Sequence, residues 1–183
     1  MVEKRFTNKI VVVTGATQGI GLACAERLHE EGATVCAIQR GQSKLFDSFK
    51  FDLSKEQDCS KSIDVIVKKY GRIDVLVNNA GIMKESSLMD TSLEDWNQTI
   101  SVNLTAPFLL SKFAMPSLIE SEGCIVNIGS IEGIGANPNH AAYCSSKAGP
   151  NGLTRAIAVD YGKDGVRCNA VAPGWIDTEL NED

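Results

Sequence analysis

A doubly wound α/β fold on a parallel sheet is predicted by three features of this 183-residue chain. Short β-branched runs alternate repeatedly with longer amphipathic stretches. Most of the runs are continuously apolar, as strands buried on both faces of a parallel sheet are. Residues with special chemistry fall just after the runs, where sheets of this kind bind their ligands.

Taken in order, the first strand is Ile10–Thr14, a run of Ile and Val closed by Thr14-Gly15. The amphipathic stretch Gly19–Glu31 follows as a helix, then strand Thr34–Ile38. Ser48–Phe51 reads as a third strand, and the helix Lys55–Tyr70 leads to the strand Ile73–Asn78. Ser92–Glu120 is the longest helical pattern, and it delivers the strand Cys124–Ile128. His140–Tyr161 and Val166–Val171 complete the alternation. Right-handed crossovers join such units, and with no linker or repeat in view residues 1–183 form one domain. Two prolines disturb the pattern. Pro107 has no N–H for the carbonyl of Asn103, which predicts a kink between them with that carbonyl bound to water. Pro150 removes a second helical bond and predicts a bend or a local adjustment in the helix His140–Tyr161 unless tertiary packing compensates.

The formal charge is −5 with both signs interspersed, and no basic stripe of the sort that nucleic-acid binders carry is present. No uninterrupted apolar run approaches the roughly 20 residues of a membrane span. Ile10–Val13 is too short for a signal h-region, so a cytoplasmic location is the default. Six cysteines (24, 36, 59, 124, 144 and 168) include no C-x-x-C pair. They read as small buried hydrophobes in a reducing compartment, not as a disulfide frame or a metal site.

The candidate chemistry begins in Thr14-Gly15-Ala16-Thr17-Gln18-Gly19-Ile20-Gly21. Glycines between a strand and a helix N-terminus let backbone N–H groups approach a pyrophosphate, although a plain strand–helix turn uses them too. About twenty residues on, where an acidic residue would hold the ribose hydroxyls of NAD, stand neutral Gln39 and then Arg40. A guanidinium pairs with a 2′-phosphate, so the preference read here is NADP with NAD possible; the alternative is an ordinary exposed Arg. Tyr143 and Lys147 are four apart on one helical face, and a neighbouring ammonium favours the phenolate, which suits Tyr143 as a general acid/base. Ser130 follows the strand Cys124–Ile128 at the carboxyl edge of the sheet.

The ordered set Thr14-Gly15-x-x-x-Gly19-Ile20-Gly21, Asn78-Asn79-Ala80-Gly81, Asn103, Ser130, Tyr143-x-x-x-Lys147 and Pro173-Gly174 resembles the signature of short-chain dehydrogenases/reductases, from about Lys9 to Thr178. The resemblance implies a Rossmann-type fold and an NAD(P)-dependent oxidoreductase acting on a secondary alcohol or ketone. It implies Ser130, Tyr143, Lys147 and Asn103 as the catalytic tetrad, the carbonyl of Asn103 holding a relay water. For the cofactor it implies Gly15, Thr17, Gln18, Gly19, Ile20, Gly21, Arg40, Asp52, Asn79, Ala80, Gly81, Tyr143, Lys147, Pro173, Gly174 and Thr178. Structural alternatives stand beside these roles: a turn for Asn78 and Gly174, a cap for Asp52. A homodimer or homotetramer is implied through the helices Ser92–Glu120 and His140–Tyr161.

Three departures from the family pattern stand out. About a dozen residues separate Arg40 from Asp52, leaving little room for a helix. Pro150 lies three residues past Lys147. Family members continue beyond this point, so the expectation is a chain lacking the substrate loop, the last helix and the last strand. Candidates for the substrate wall are Met83, Glu132, Ile134, Asn137, His140 and Trp175. Glu132 and His140 read either as contacts for a polar, hydroxylated substrate or as surface-loop positions. Two competing functions are a cofactor-sensing module, which has no need of the whole tetrad, and a sugar-nucleotide epimerase, whose loop would be spaced T-G-x-x-G-x-x-G.

Overall fold

The computed structural model describes residues 3–43 and 45–178. Six parallel strands form one sheet in the order β3-β2-β1-β4-β5-β6. They are β1 (Ile10–Thr14), β2 (Thr34–Gln39), β3 (Asp47–Lys50), β4 (Val75–Asn78), β5 (Cys124–Ile128) and β6 (Arg167–Val171). The helices are α1 (Gly19–Glu30), α2 (Glu56–Tyr70), α3 (Leu93–Ile100), α4 (Ala106–Glu120) and α5 (Ala141–Tyr161). This is the doubly wound fold. β1 lies between β2 and β4, and the chain leaves it in one direction for β2–β3 and returns to its other side for β4–β6. At that reversal the connections diverge beyond the strand ends and open a cleft.

Alternate residues of each strand feed opposite layers. Val12, Ile38, Leu76 and Ile125 pack with Ile63, Ile66, Leu110 and Leu118 of α2 and α4. Val11, Val13, Val35 and Val77 pack on the other side with Ala25 of α1. No helix among the described residues covers the β5–β6 half of that second face, where Cys124, Val126 and Ile128 are half-buried.

The helix ends follow local chemistry. α2 carries Glu56 and Asp58 in its first turn and Lys68 and Lys69 in its last, matching its dipole. It stops at Gly71, left-handed at φ 79°, whose N–H returns to the Val67 carbonyl. The Ser92 hydroxyl caps α3 by accepting the Asp95 N–H at 3.0 Å.

The stretch Ser92–Glu120, expected as one kinked helix, is interrupted by a π-helical turn at Ser101–Thr105. The Ala106 N–H reaches back five residues to the Ser101 carbonyl, just before Pro107. The missing proline donor thus appears as a change of helical ladder. α5 is a single helix that continues through Pro150. Packing supports it there: Gly149 lies against Leu104, and Pro150 is buried. Among the described residues no helix separates β2 from β3, where the short spacing leaves little room for one. Leu93–Glu120 is 28 residues long and apolar enough by composition to cross a membrane, but 56% of its most apolar window is buried, as in a core helix.

At the strand entrances, buried carboxylates hold exposed cations. Glu31, 1% exposed, accepts from Arg5 at 2.5 and 2.7 Å and from Arg27 at 2.6 Å. Hydrogen bonds from these guanidinium groups lower its pKa from 4.5 to about 2. A depressed carboxylate contributes stability that is present above its unfolded value and lost as pH falls through its folded one. Glu31→Gln is therefore expected to lower the urea midpoint at pH 7 and to flatten its decline between pH 4.5 and about 2.

Candidate active site at the sheet reversal

The glycine loop is held by cross-bonds between β1 and β4. The Thr14 hydroxyl accepts the N–H groups of Asn79 and Ala80, both at 2.9 Å. The Asn79 amide donates back to the carbonyls of Thr14 and Gly15 at 3.0 and 3.1 Å. Gly15 and Gly19 adopt φ of 66° and 54°. A Cβ on Gly21 would lie 2.1 Å from the Gly15 carbonyl oxygen and 2.3 Å from the Asn79 amide nitrogen. α1 therefore starts closer to the loop than any side chain permits. Gln18 supplies no side-chain cap, which leaves the first amides of α1 for another acceptor.

From this loop a cleft of about 310 Å³ runs along the carboxyl ends of the strands. Gly15, Thr17, Gln18, Gly19, Ile20, Arg40, Asp52, Asn79, Ala80, Gly81, Ser130, Tyr143, Lys147, Pro173, Gly174 and Thr178 all line it. Gly21 and Asn103 stand behind the lining. Sequence reasoning missed Phe51, Leu53, Ile82, Gln98, Val102 and Ile176, which also line it. The first two flank Asp52 at a strand end and were within reach; the rest follow only from how α3, the π turn and two loops pack.

Ser130 leaves β5 in an extended conformation, and its hydroxyl accepts the Glu132 N–H at 3.1 Å. The turn is pinned to the chain after β6 by Gly129 N–H to the Val171 carbonyl and Ile131 N–H to the Pro173 carbonyl. Tyr143 and Lys147 project from the first turns of α5, both buried. The Lys147 ammonium donates to the Ile128 carbonyl at 3.0 Å and lies 5.7 Å from the Tyr143 ring centroid. Gly81 permits this approach, since a Cβ there would sit 3.3 Å from Nζ.

The electrostatics correct one expectation. Burial pushes the Tyr143 phenol up from its ordinary value, with further raising by Glu132 and Cys144, while a hydrogen bond with Ser130 pulls it down. Lys147 does not lower it in this state. The ammonium is itself 4% exposed, and burial lowers it to about 8.

Asn103 acts through its side chain as well as its position in the π turn. Its Oδ1 accepts the Ile82 N–H at 2.8 Å, and its amide donates to the Ile82 carbonyl and to the Ser146 hydroxyl at 2.8 and 2.9 Å. The Ser146 hydroxyl in turn donates to the Tyr143 carbonyl at 2.7 Å. This fully buried serine carries no signal in the sequence beyond its place three residues after Tyr143. Asn78 joins a buried chain with Asn127, Ser111 and Thr154, so its structural reading holds.

Of the wall candidates, Met83, Glu132 and Trp175 line a small cavity beside Ser130 and Tyr143. Ile134 is exposed and does not line it. Glu132 and His140 are not surface positions: both are buried and paired with each other. Asn137 donates to Glu132 from behind. The Cys144 thiol, pushed up by burial and by Glu132, donates to that same carboxylate.

A family model described as short chain dehydrogenase matches residues 9–183. This chain belongs to the short-chain dehydrogenase/reductase family. Members of this oxidoreductase family include the relatives that follow. The chain is 38% identical over 190 residues to meso-2,3-butanediol dehydrogenase of Serratia marcescens, covering 96% of this chain and 74% of that one. It is 39% identical over 192 residues to a 3beta-hydroxysteroid dehydrogenase of Mediterraneibacter gnavus, covering 97% and 70%. The ligand-free aldohexose dehydrogenase of Thermoplasma acidophilum superposes with a TM-score of 0.93 at 42% identity, over 98% of this chain and 71% of that one. Family members use NAD(P), and the glycine cradle fits its pyrophosphate.

Two glycine substitutions separate the cradle from the ordinary helix. Gly21→Ala is expected to cost about 1–3 kcal/mol in chemical denaturation through overpacking. Gly152→Ala, with nothing within 4 Å of the added methyl, is expected to stabilise by about 0.4–1 kcal/mol in the same assay.

Proposed function

We propose that this short-chain dehydrogenase/reductase interconverts a secondary alcohol and a ketone, with Tyr143 as the general acid/base. One observation carries the reading: the glycine cradle and the Ser130–Tyr143–Lys147 group share a single cleft. When bound, the nicotinamide dinucleotide supplies or takes the hydride. Tyr143 holds the proton that moves to or from the substrate oxygen, with Ser130 orienting that oxygen by a hydrogen bond. The charged form of Lys147 stabilises phenolate character in Tyr143 as it develops, and Asn103 with Ser146 braces the helix carrying both. Burial of all three side chains excludes the water that would compete for these bonds.

For the cofactor, Arg40 supports NADP: it is exposed and lines the cleft where β2 ends. A second reading, NAD, is favoured by Gln39. Its amide donates to Ser48 at 3.1 Å, and its buried Oε1 has no partner, which suits a ribose hydroxyl better than a phosphate. Assembly as a homodimer or homotetramer is supported by exposed apolar side chains on α4 and α5, Phe108, Ile119 and Val159. The unpaired thiols suit a reducing compartment, the cytoplasm.

Fluorescence titration with NADPH and NADH decides the cofactor. Tighter NADPH binding, lost in Arg40→Ser, is the expected result; tighter NADH binding assigns the site to Gln39. Tyr143→Phe is expected to reduce turnover by about 10²–10⁴ while leaving cofactor affinity within twofold. Lys147 loses its charge as pH rises through about 8, so cofactor affinity of the free protein should decline across that range.

A further inference from the structure

Three segments that wall the substrate side of the cleft meet on one imidazole. His140 stands immediately before α5, three residues ahead of Tyr143, and is 3% exposed. Its Nδ1 lies 2.7 Å from Glu132 Oε2, on the turn after Ser130. Its Nε2 lies 3.1 Å from Glu85 Oε1, on the loop after β4. Backbone pairing delivers that loop, since the Ser86 N–H donates to the Asn139 carbonyl at 2.8 Å and Ser86 bridges to His140. A neutral imidazole has a single N–H and can donate to one carboxylate; serving both requires the imidazolium.

The surroundings leave this ring as the junction. Glu132 also accepts from Asn137 at 2.9 Å and from the Cys144 thiol at 3.4 Å. Tyr143 and Trp175 pack on the ring with centroids at 6.1 and 6.4 Å. Lys84, beside Glu85, is engaged by Asp95 at 2.7 Å, so it does not neutralise the pair. Glu85 itself is 52% exposed, whereas Glu132 is buried, so Glu85 is the solvent-facing carboxylate of the two.

We propose that His140 is a positioning residue whose protonated ring clamps the Glu85 loop to the Ser130 turn and to the start of the Tyr143 helix. Burial opposes charge on the ring, but the bonds to Glu132 and then Glu85 outweigh it and raise its pKa. Hydrogen bonds from Asn137, His140 and Cys144 outweigh burial at Glu132 and hold that carboxyl below its ordinary value. A raised histidine contributes fully below its unfolded pKa, and the contribution is lost as pH rises through the folded value. Deprotonation leaves a lone pair facing one carboxylate. The contact released is the exposed one, Glu85, and with it the loop that carries Met83 into the cavity beside Ser130 and Tyr143. The substrate side therefore slackens at alkaline pH, an effect separate from the loss of charge on Lys147 because it depends on Glu85. Only this kinetic consequence rests on the proposed reaction.

The chain has two histidines, so ring-proton NMR with His29→Gln as the assignment variant isolates His140. The expected result is a titration above the ordinary value of 6.5, with a midpoint that falls in Glu85→Gln. In Glu85→Ala at pH 6, the Ser86 amide should exchange about tenfold faster, a loss of about 1.4 kcal/mol of protection, while the Ile82 amide held by Asn103 is unchanged. A ring titrating at or below 6.5, a midpoint unmoved by Glu85→Gln, or unaltered Ser86 exchange would overturn the clamp. With 2,3-butanediol as the probe substrate, KM should rise at least threefold between pH 6 and 9 in the parent, with kcat rising or falling no more than in Glu85→Gln. A KM equally pH-dependent in both would overturn the role at the substrate wall. The NMR and exchange results stand or fall without turnover, so they remain decisive if the oxidoreductase reading fails.

Discussion

The pairing of β1 with β4 is the contact on which the rest of the site depends. Val11, Val12 and Val13 align with Val75, Leu76 and Val77, which brings the end of β1 against the Asn79-Ala80 turn. Four hydrogen bonds then join Thr14-Gly15 to Asn79-Ala80 across that junction, two of them between Thr14 and Asn79. Those bonds draw the loop so close to α1 that Gly21 must be a glycine. The same junction is where the sheet reverses direction, so the tightest backbone packing and the widest opening lie side by side. A cradle for an anion results from strand register, helix start and glycine content acting together.

Lys147 shows what it takes to keep a charge at such a place. Its stem is enclosed by α5 and the end of β5, its ammonium has one described acceptor, and burial lowers its pKa to about 8. An ammonium so poorly solvated interacts strongly with any negative charge placed beside it, because little water competes for it. The phenol nearby is raised for the same reason, burial. One dry environment thus disfavours the charged forms of both groups and moves their proton affinities apart, the phenol up and the ammonium down. The π turn at Ser101–Thr105 contributes by a different route: Asn103 is buried there, and its side chain ties Ile82 to Ser146 and thus to α5.

Much of this was legible in the residue order. Strand and helix positions agree within two residues, because buried parallel strands leave continuous apolar runs and the helices between them are long and amphipathic. β3 was read one residue late, at Ser48, since Asp47 is a polar residue at the edge of the sheet. The lost proline donor at Pro107 located the disturbance near Asn103, although its form as a π turn depends on how α3 and α4 pack on α5. Tyr143 was expected to be eased toward ionisation by Lys147; burial reverses the direction, and burial is a property of the fold. Glu132 and His140 were ambiguous because an eight-residue separation across a turn says nothing about contact.

What the sequence determined by itself is the set of local requirements. These are where glycine must stand, which runs are apolar on both sides, where a carbonyl loses its donor, and which reactive side chains follow strand ends. Each is a consequence of bonds between near neighbours, or of solvent partition along one element. The tertiary structure decided the meetings between distant segments: Asn79 with Thr14, Ser146 with Asn103, and His140 with Glu85 and Glu132. It also decided which charges are dry, and therefore how Tyr143, Lys147 and His140 titrate. Those properties depend on distance and solvent exclusion in three dimensions, which pairing and packing create and which residue spacing does not record.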